Sequence, residues 1–469
     1  MRTKHLSGFL MALLLLTTTA KAQTWEKVYE EELGISCAFG VCQTKDNGFA
    51  ITGLTWKQSG NGDLFIAKID SWGKMLWYKI YQKAEAQTKG QVIKETTEGD
   101  LIILAYDDHD PNYPHFWLVK TNEFGDTLWT KNFGNKVEAH CLDICPDSGY
   151  ILAGAQWWDY DSYLIKTDKQ GNLAWEKVID SGTLNGTIRS VKALKDGFVF
   201  LTSDWQLIKL NETGEVVWRK DYKTTYWGYG MCIGLTNDEG YILCGTKLSP
   251  ESATPKSAIQ VIKTDEKGNS IWVKCYTDSL EIYSPFIWQI DNSYLLIGEK
   301  QASSNAPSEI MILLLNETGE IVWQKTFPGP YNDCAPCDAV PTADNGTIIV
   351  GYAKPSDGFG RTYILKVDKN GNVGIKENKT TMDDFWLAQN YPNPFNISTT
   401  IQFNLVKDSE VELAVYNLLG EKVTVLVKEK KKAGNYAFIW QAENIASGVY
   451  FCILKADKRV FSQKLVLMK

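Results

Sequence analysis

One pattern constrains this chain more than any other: Lys, then Asp or Asn two residues on, Gly at plus five and Trp at plus nine, seven times over. The copies start at Lys68, Lys120, Lys166, Lys209, Lys263, Leu314 and Lys366, at intervals of 43 to 54 residues. All seven keep the glycine; six keep the tryptophan, and one has Leu314 in place of the lysine. A period of this length signals a repeat architecture.

Ahead of most copies comes a looser signal, "DNGF" at Asp46, "DSGY" at Asp147, "DEGY" at Asp238 or "DNGT" at Asp344. A short apolar run follows, usually ending in glycine, as at Gly53, Gly154, Gly245, Gly298 and Gly351. One period therefore reads strand, tight turn, strand, variable loop, strand, tight turn, strand. That is the signature of a β-propeller blade. The seventh copy has Ile375 where tryptophan is due, while "TWEKVY" near the N-terminus matches "AWEKVI" at Ala174 and "LWYKIY" at Leu76. Trp25 is thus the missing tryptophan, and residues 24–29 are expected to form the outer strand of the last blade. The expected fold class is all-β, a seven-bladed β-propeller over residues 23–372.

Turn chemistry accounts for the repeat without catalysis. Asp or Asn after the third strand can hydrogen-bond the backbone two residues on, and the glycine suits a position with positive φ. Asp and Asn alternate freely at residues 70, 122, 168, 211, 265, 316 and 368. An amide cannot replace a catalytic carboxylate, so these positions are structural. The tryptophan is expected to pack on the neighbouring blade, with the lysine two residues on (Lys79, Lys131, Lys177, Lys274, Lys325) lying along the same face.

The first 22 residues carry Arg2 and Lys4, an apolar run from Leu6 to Leu16, and Ala20-Lys21-Ala22 in the small-x-small form, and are expected to be a cleaved secretory signal. That run is too short to span a bilayer, which takes about 20 apolar residues, so no transmembrane helix is expected. Its removal takes three of the 49 basic residues and no acid, leaving 46 against 56 and a net charge of −10. An acidic body argues against nucleic acid as a partner, because phosphate contacts dominate such binding. The ten cysteines are scattered. "CAPC" at Cys334–Cys337 has no second pair at metal-ligand spacing, so buried or disulfide-bonded cysteine is expected rather than a metal or redox centre.

After a polar linker over residues 373–385, a second unit begins with "LAQNYPNPFN", and "VYNLLGEKV", "IASGVYF" and a terminal "KLVLMK" follow in order. Its alternating runs and Gly-bearing turns at Gly420, Gly434 and Gly448 suit a small Ig-like β-sandwich. These blocks resemble the C-terminal sorting domain of the type IX secretion system, over residues 386–469. The resemblance implies export through the periplasm of a Gram-negative bacterium and recognition by an outer-membrane translocon. It further implies handling by a sortase-like peptidase and a final place on the cell surface or in the medium. Ile397 departs from the family, which often has a second proline after "NPFN". The basic run Lys428–Lys432 is read as a solvated hairpin.

Within a blade the two tight turns share one face of the disc, and the second-to-third-strand loops share the other with the blade-to-blade connections. That variable face is where function is expected. Two of its loops place aromatics beside carboxylates: Trp157, Trp158, Asp159, Tyr160 and Asp161 in one, Trp227 and Tyr229 in the other. Indole faces stack on sugars while carboxylates accept hydroxyl protons, which suits a glycan or protein ligand. In "DDHDPNYPH", Asp107, Asp108 and Asp110 are candidate ligands for Ca2+, although the EF-hand spacing is absent; no other cofactor is expected. No G-x-S-x-G, H-E-x-x-H or P-loop occurs, and His109, His115 and His140 have no triad spacing. The expected function is therefore an exported binding or adhesion module. The alternative is a secreted carbohydrate-active or peptide-cleaving enzyme using carboxylates on the variable face, since two acids need only meet in space, about 5 to 9.5 Å apart.

Overall fold

The computed structural model describes residues 24–56, 62–82, 87–107, 115–134, 137–156, 161–179, 186–222, 228–249, 256–276, 281–301, 306–373, 386–387, 390, 393–405, 407–443, 445–457 and 459–468. It divides into two compact units, Met1–Lys376 and Glu377–Lys469.

The first unit consists of seven four-stranded antiparallel sheets. The first pairs Ser36–Gln43, Phe49–Thr55, Asp63–Ile69 and Met75–Tyr81 in sequence order, and the next five blades repeat the scheme. In the seventh, Cys334–Pro341, Thr347–Ala353 and Arg361–Val367 are joined by Trp25–Val28, which pairs Trp25 with Lys366 and Val28 with Tyr363. Strands from both ends of the unit share this sheet, so none of the seven blades lacks its outer strand.

Burial follows each strand's place in its blade. The second and third strands of blade one, FAITGLT and DLFIAKI, are buried along their whole length. They read as continuous apolar runs because a blade packs against a neighbour on each face. The outer strand MLWYKIY alternates between exposed and half-buried positions instead. Seven apolar clusters result, one in each space between blades; Ala38, Phe49 and Phe65 of blade one, for example, meet Ile348, Val350 and Ile364 of blade seven.

Each outer strand also latches onto the next blade. Trp25 covers Gly73, Trp77 Gly125, Trp129 Gly171, Trp175 Gly214, Trp218 Gly268, Trp272 Gly319 and Trp323 Gly371; a Cβ on any of these glycines would meet the indole at 2.7 to 3.0 Å. The same glycines have φ between 67° and 77°. Glycine is therefore required twice, for the left-handed turn and for the indole above it. Where tyrosine stands four residues after the tryptophan, its hydroxyl donates to that glycine's carbonyl, at 2.7 Å from Tyr29 to Gly73 and from Tyr276 to Gly319. The intervening lysine lays its stem beside the indole, as Lys131 does at Gly171, and its ammonium reaches the turn, as in Lys220 to Asn269 at 2.9 Å.

The first lysine of the pattern is internal. In six blades its ammonium pairs with the aspartate of the preceding turn at 2.7 to 3.1 Å, as Lys68 does with Asp46 and Lys366 with Asp344. The side chains of Lys263 and Lys366 are only 4% and 2% exposed, a burial that an unpaired ammonium would not tolerate. Blade six has Leu314 at this position, packed among the apolar residues between blades six and seven.

The second unit has two sheets, one of Trp386–Leu387, Ser398–Leu405 and Gly434–Gln441, the other of Lys422–Lys431, Ser409–Tyr416, Gly448–Ala456 and Arg459–Leu467. They enclose one core that includes Phe403, Leu413, Trp440, Leu454 and Leu465. The "NPFN" segment is tied to the final strand. Asn393 donates through Nδ2 to the Lys464 carbonyl at 3.0 Å and accepts the Val466 N–H at 2.7 Å, and Phe395 exchanges backbone bonds with Val466 and Met468. Two sequence blocks about 70 residues apart thus form one clasp.

A candidate binding site in the axial channel

The innermost strand of every blade contains a β-bulge, and the seven bulges fall at equivalent places. The residues left without a partner in register are Phe39, Gln91, His140, Arg189, Met231, the pair Ser284–Pro285, and Cys337. A bulge re-aims a side chain that would otherwise stand against the sheet. Inner strands of neighbouring blades touch all the way round the ring, so the bulged positions share the axis. Each inner strand starts at the blade-to-blade connection, on the variable face. Residues before the bulge therefore lie at that mouth, and residues after it lie deeper.

Side chains from five blades converge at the mouth. The Lys89 ammonium of blade two stands 4.1 Å from the ring centre of Phe39 in blade one. It also interacts electrostatically with Cys37, with Cys337 of blade seven and with Glu138 of blade three. Burial holds the Lys89 pKa below its ordinary value. The side chain of His140 of blade three is 12% exposed. Burial first, then the positive charges of Arg189 and Lys89, pull its pKa down to about 3, so the ring is neutral at ordinary pH. Arg189 of blade four, exposed to solvent, donates through Nη1 to His140 Nδ1 at 3.5 Å. A neutral ring that accepts at Nδ1 carries its proton at Nε2. That Nε2–H is buried and finds no hydrogen-bond partner among the described residues; the Glu138 carboxylate lies 3.7 Å away, beyond hydrogen-bond reach.

The mouth extends over blades six and seven. Glu299 accepts from the Ser308 hydroxyl at 2.6 Å, and burial nonetheless raises its pKa. Lys354 lies 5.0 Å over the Tyr352 ring, and Tyr352 senses the charge of Glu299. The thiols are not activated, since burial raises Cys37 to about 11 and Cys337 further still.

Below the bulges lies a second charged layer. The Lys94 ammonium pairs with Asp143 at 2.5 Å. Asp143 of blade three also accepts the Ala193 N–H of blade four at 2.9 Å, and Asp338 of blade seven accepts the Val41 N–H of blade one at 3.0 Å. Both acids therefore stitch one blade to the next. Burial pushes Asp338 up to about 6 against the pull of the Val41 and Ala339 N–H groups, Lys192 and Lys94. At Asp143 burial also works upward, but Lys94 and Lys192 outweigh it and hold the carboxyl below its usual range.

The loop residues singled out from the sequence are only partly visible. Trp157, Trp158, Asp159, Tyr160, Trp227, Asp108 and Asp110 lie outside the described residues. Asp161 closes the base of its loop by accepting the Gln156 N–H through its carbonyl at 3.0 Å. Tyr229 is half exposed at the variable face, its backbone paired with Thr246. Asp107 ends the second strand of blade two, in register with Thr88 and His115. Among the described residues no group of three or more His, Cys, Asp or Glu side chains is placed to hold a metal ion. Nor is any helix there long and apolar enough to cross a membrane.

Lys89, Glu138, His140 and Arg189 were not candidates from the sequence, because they belong to no motif. The signal that could have found them is the inner-strand column itself, aligned across the seven copies.

A ring of seven blades joined to a separate two-sheet unit defines the class, a propeller carrying an appended β domain. Residues 389–468 match the secretion system C-terminal sorting domain. The chain is thus handled by the type IX secretion system and directed to the medium or the outer surface. No curated protein matches it. Solved structures similar to it include the WD40 domain of Neurospora crassa Pan2, with 10% identity, 74% of this chain and 96% of that one covered, and a TM-score of 0.49. The Dos1 propeller gives 13%, 81%, 92% and 0.46, and BamB from Moraxella catarrhalis 12%, 70%, 85% and 0.41 in the same order. The propeller assignment rests on the seven sheets of the chain itself.

Proposed function

We propose that the propeller is a binding module outside the cell, and that its ligand, a glycan or a peptide, enters the axial channel from the variable face with an acidic group leading. The observation that carries this is the buried, unpartnered Nε2–H of His140 between Arg189 and Glu138. A buried donor without a partner costs about 1 to 3 kcal/mol, and a carboxylate or sulfate oxygen on the ligand would recover it. Lys89 and Arg189 supply positive charge beside that oxygen, and Glu138 can accept from a neighbouring hydroxyl or ammonium. Support for binding over carboxylate hydrolysis comes from the two deep acids, Asp143 and Asp338, whose oxygens already accept backbone N–H groups.

The test is a glycan and peptide array on the full secreted protein, with acidic polysaccharides included and product analysis on every hit, followed by titration of Arg189→Ala. A loss of at least tenfold in affinity with an unchanged fold is expected. Unchanged binding in Arg189→Ala, together with loss in Trp158→Ala or Trp227→Ala, would move the site to the loops, and product formation would favour the enzyme alternative. In the same proposal, residues 386–469 are what the translocon and a sortase-like peptidase engage. Deleting them is expected to leave the chain in the periplasm, and its arrival in the medium would sink the assignment.

A further inference from the structure

Ten cysteines are distributed over the chain, and among the strand pairings only Cys232 and Cys244 stand directly opposite one another. They belong to the first two strands of blade five, Gly230–Leu235 and Tyr241–Ser249. Residues opposed in an antiparallel pair have Cα atoms about 4.5 to 5.5 Å apart. A disulfide accepts Cα separations of about 4.4 to 6.8 Å. In the structure both are free thiols that donate to backbone carbonyls of blade six, Cys232 to Ile287 at 3.9 Å and Cys244 to Pro285 at 3.3 Å, and both lie in the apolar cluster between blades five and six, with Ile259, Val261, Ile287 and Leu313.

We propose that Cys232 and Cys244 are joined by a cross-strand disulfide in the exported protein, made before blade six closes over blade five. The chain leaves the reducing cytoplasm on its way to the outer surface, and disulfides form and persist in such compartments. The strands are linked by a short turn, in which Thr236 accepts the Glu239 N–H at 3.0 Å, so the hairpin can form ahead of the ring. The oxidant is a protein disulfide of the compartment the chain crosses. The Cys232 thiolate attacks one sulfur of that disulfide, forming a mixed disulfide and releasing the donor's first thiolate. The Cys244 thiolate then attacks the Cys232 sulfur and expels the second. The pair gives up two protons and two electrons, and the donor is left as a dithiol.

The test needs only the exported full chain. It is unfolded in iodoacetamide without reductant and digested with trypsin. Both cysteines fall in the single peptide 224–247, bounded by Lys223 and Lys247 with no Lys or Arg between. The expected peptide is unalkylated and two hydrogens lighter than the dithiol, and it gains two carbamidomethyl groups once reduced. Two carbamidomethyl groups without reductant would overturn the proposal. In Cys244→Ser, Cys232 is expected to be alkylated without reductant, and a Cys232 still blocked there would point to another partner and equally overturn it.

Discussion

On the outer rim of the disc, seven tryptophans cover seven glycines through nearly identical contacts, and tyrosine and lysine latches repeat beside them. At the axis, the equivalent bulged positions hold Phe39, Gln91, His140, Arg189, Met231, Ser284–Pro285 and Cys337, no two alike. One scaffold therefore holds two kinds of position. Rim residues are copied because each solves the same inter-blade packing problem, and any departure is penalised in each blade separately. Axial residues face the others across a shared space. Seven identical charges there would repel, so only an unequal set can make a site.

The contrast predicts where stability sits, and the largest effect belongs to the rim. Gly268→Ala would place a Cβ at φ 75°, 2.8 Å from Lys220 Cγ and 3.0 Å from the Trp218 indole. Left-handed strain and overpacking together should cost about 3 kcal/mol, read as a lower urea midpoint. Arg189→Ala, exposed at the axis, should stay within about 0.5 kcal/mol of the parent. A comparable loss in Arg189→Ala would break the comparison, because the axis would then be structural too.

How much could be seen in the sequence follows the same division. The spacing of Gly73, Gly125 and their counterparts is legible because every blade repeats it, and the seven sheets follow from it. That the tryptophan packs on the neighbouring blade is legible, but that it covers the turn glycine there is not, since Trp77 and Gly125 lie 48 residues apart and only the closed ring brings them together. Positive φ is therefore only half of the reason for the glycine. The buried role of Lys68 and its counterparts is hidden for a related reason. A lysine beside an aspartate reads as a solvated turn, but its ammonium folds back to the previous hairpin. At the axis the strings "TKGQV", "EAHC" and "IRSV" share no motif, and Lys89, His140 and Arg189 become neighbours only once the register and the bulges are known.

A middle-sized effect sharpens the axial side. Asp338 has a folded pKa of about 6, against about 3.9 when unfolded. Between those values the folded state binds more protons, so this carboxyl's contribution to stability falls as pH rises from about 4 to 6, then levels off. The titratable or charged groups acting on it are Lys192 and Lys94, with the Val41 and Ala339 N–H groups as direct donors. Asp46, Asp147, Asp238 and Asp344, whose pKa values are lowered, work in the opposite direction below about pH 4. The informative quantity is therefore the difference between the parent and Asp338→Asn. Followed by urea unfolding, the parent's advantage over the variant should shrink by about 2 kcal/mol across pH 4 to 6. A flat difference would mean that Asp338 is ionised at the axis without cost.

The smallest effect tests why Asp and Asn alternate on the rim. Where the turn begins with Asn, the residue four on is an acid, as in Asn122–Asp126, Asn211–Glu215 and Asn316–Glu320; where it begins with Asp, the partner is Asn or, once, Lys74. In five of these turns the amide donates to the carboxylate, at 3.1 Å from Asn122 to Asp126 and 2.9 Å from Asn172 to Asp168; at Asn316–Glu320 the carboxylate pairs with Lys274 instead. The same turn recurs in the sorting domain, where Asn417 Nδ2 donates to Glu421 at 2.7 Å. The alternation is thus a swap of donor and acceptor within one hydrogen bond, with the charge at either end. Asn172→Asp should set two carboxylates side by side and cost about 0.5 kcal/mol at low salt, less at high salt because the turn is exposed. Adding Asp168→Asn should restore the parent midpoint, since it recreates the Asn122–Asp126 arrangement. A double variant no better than the single would show that the pairing is incidental, leaving the backbone bonds from Gln170 and Asn172 to Asp168 as the whole of the turn's stability.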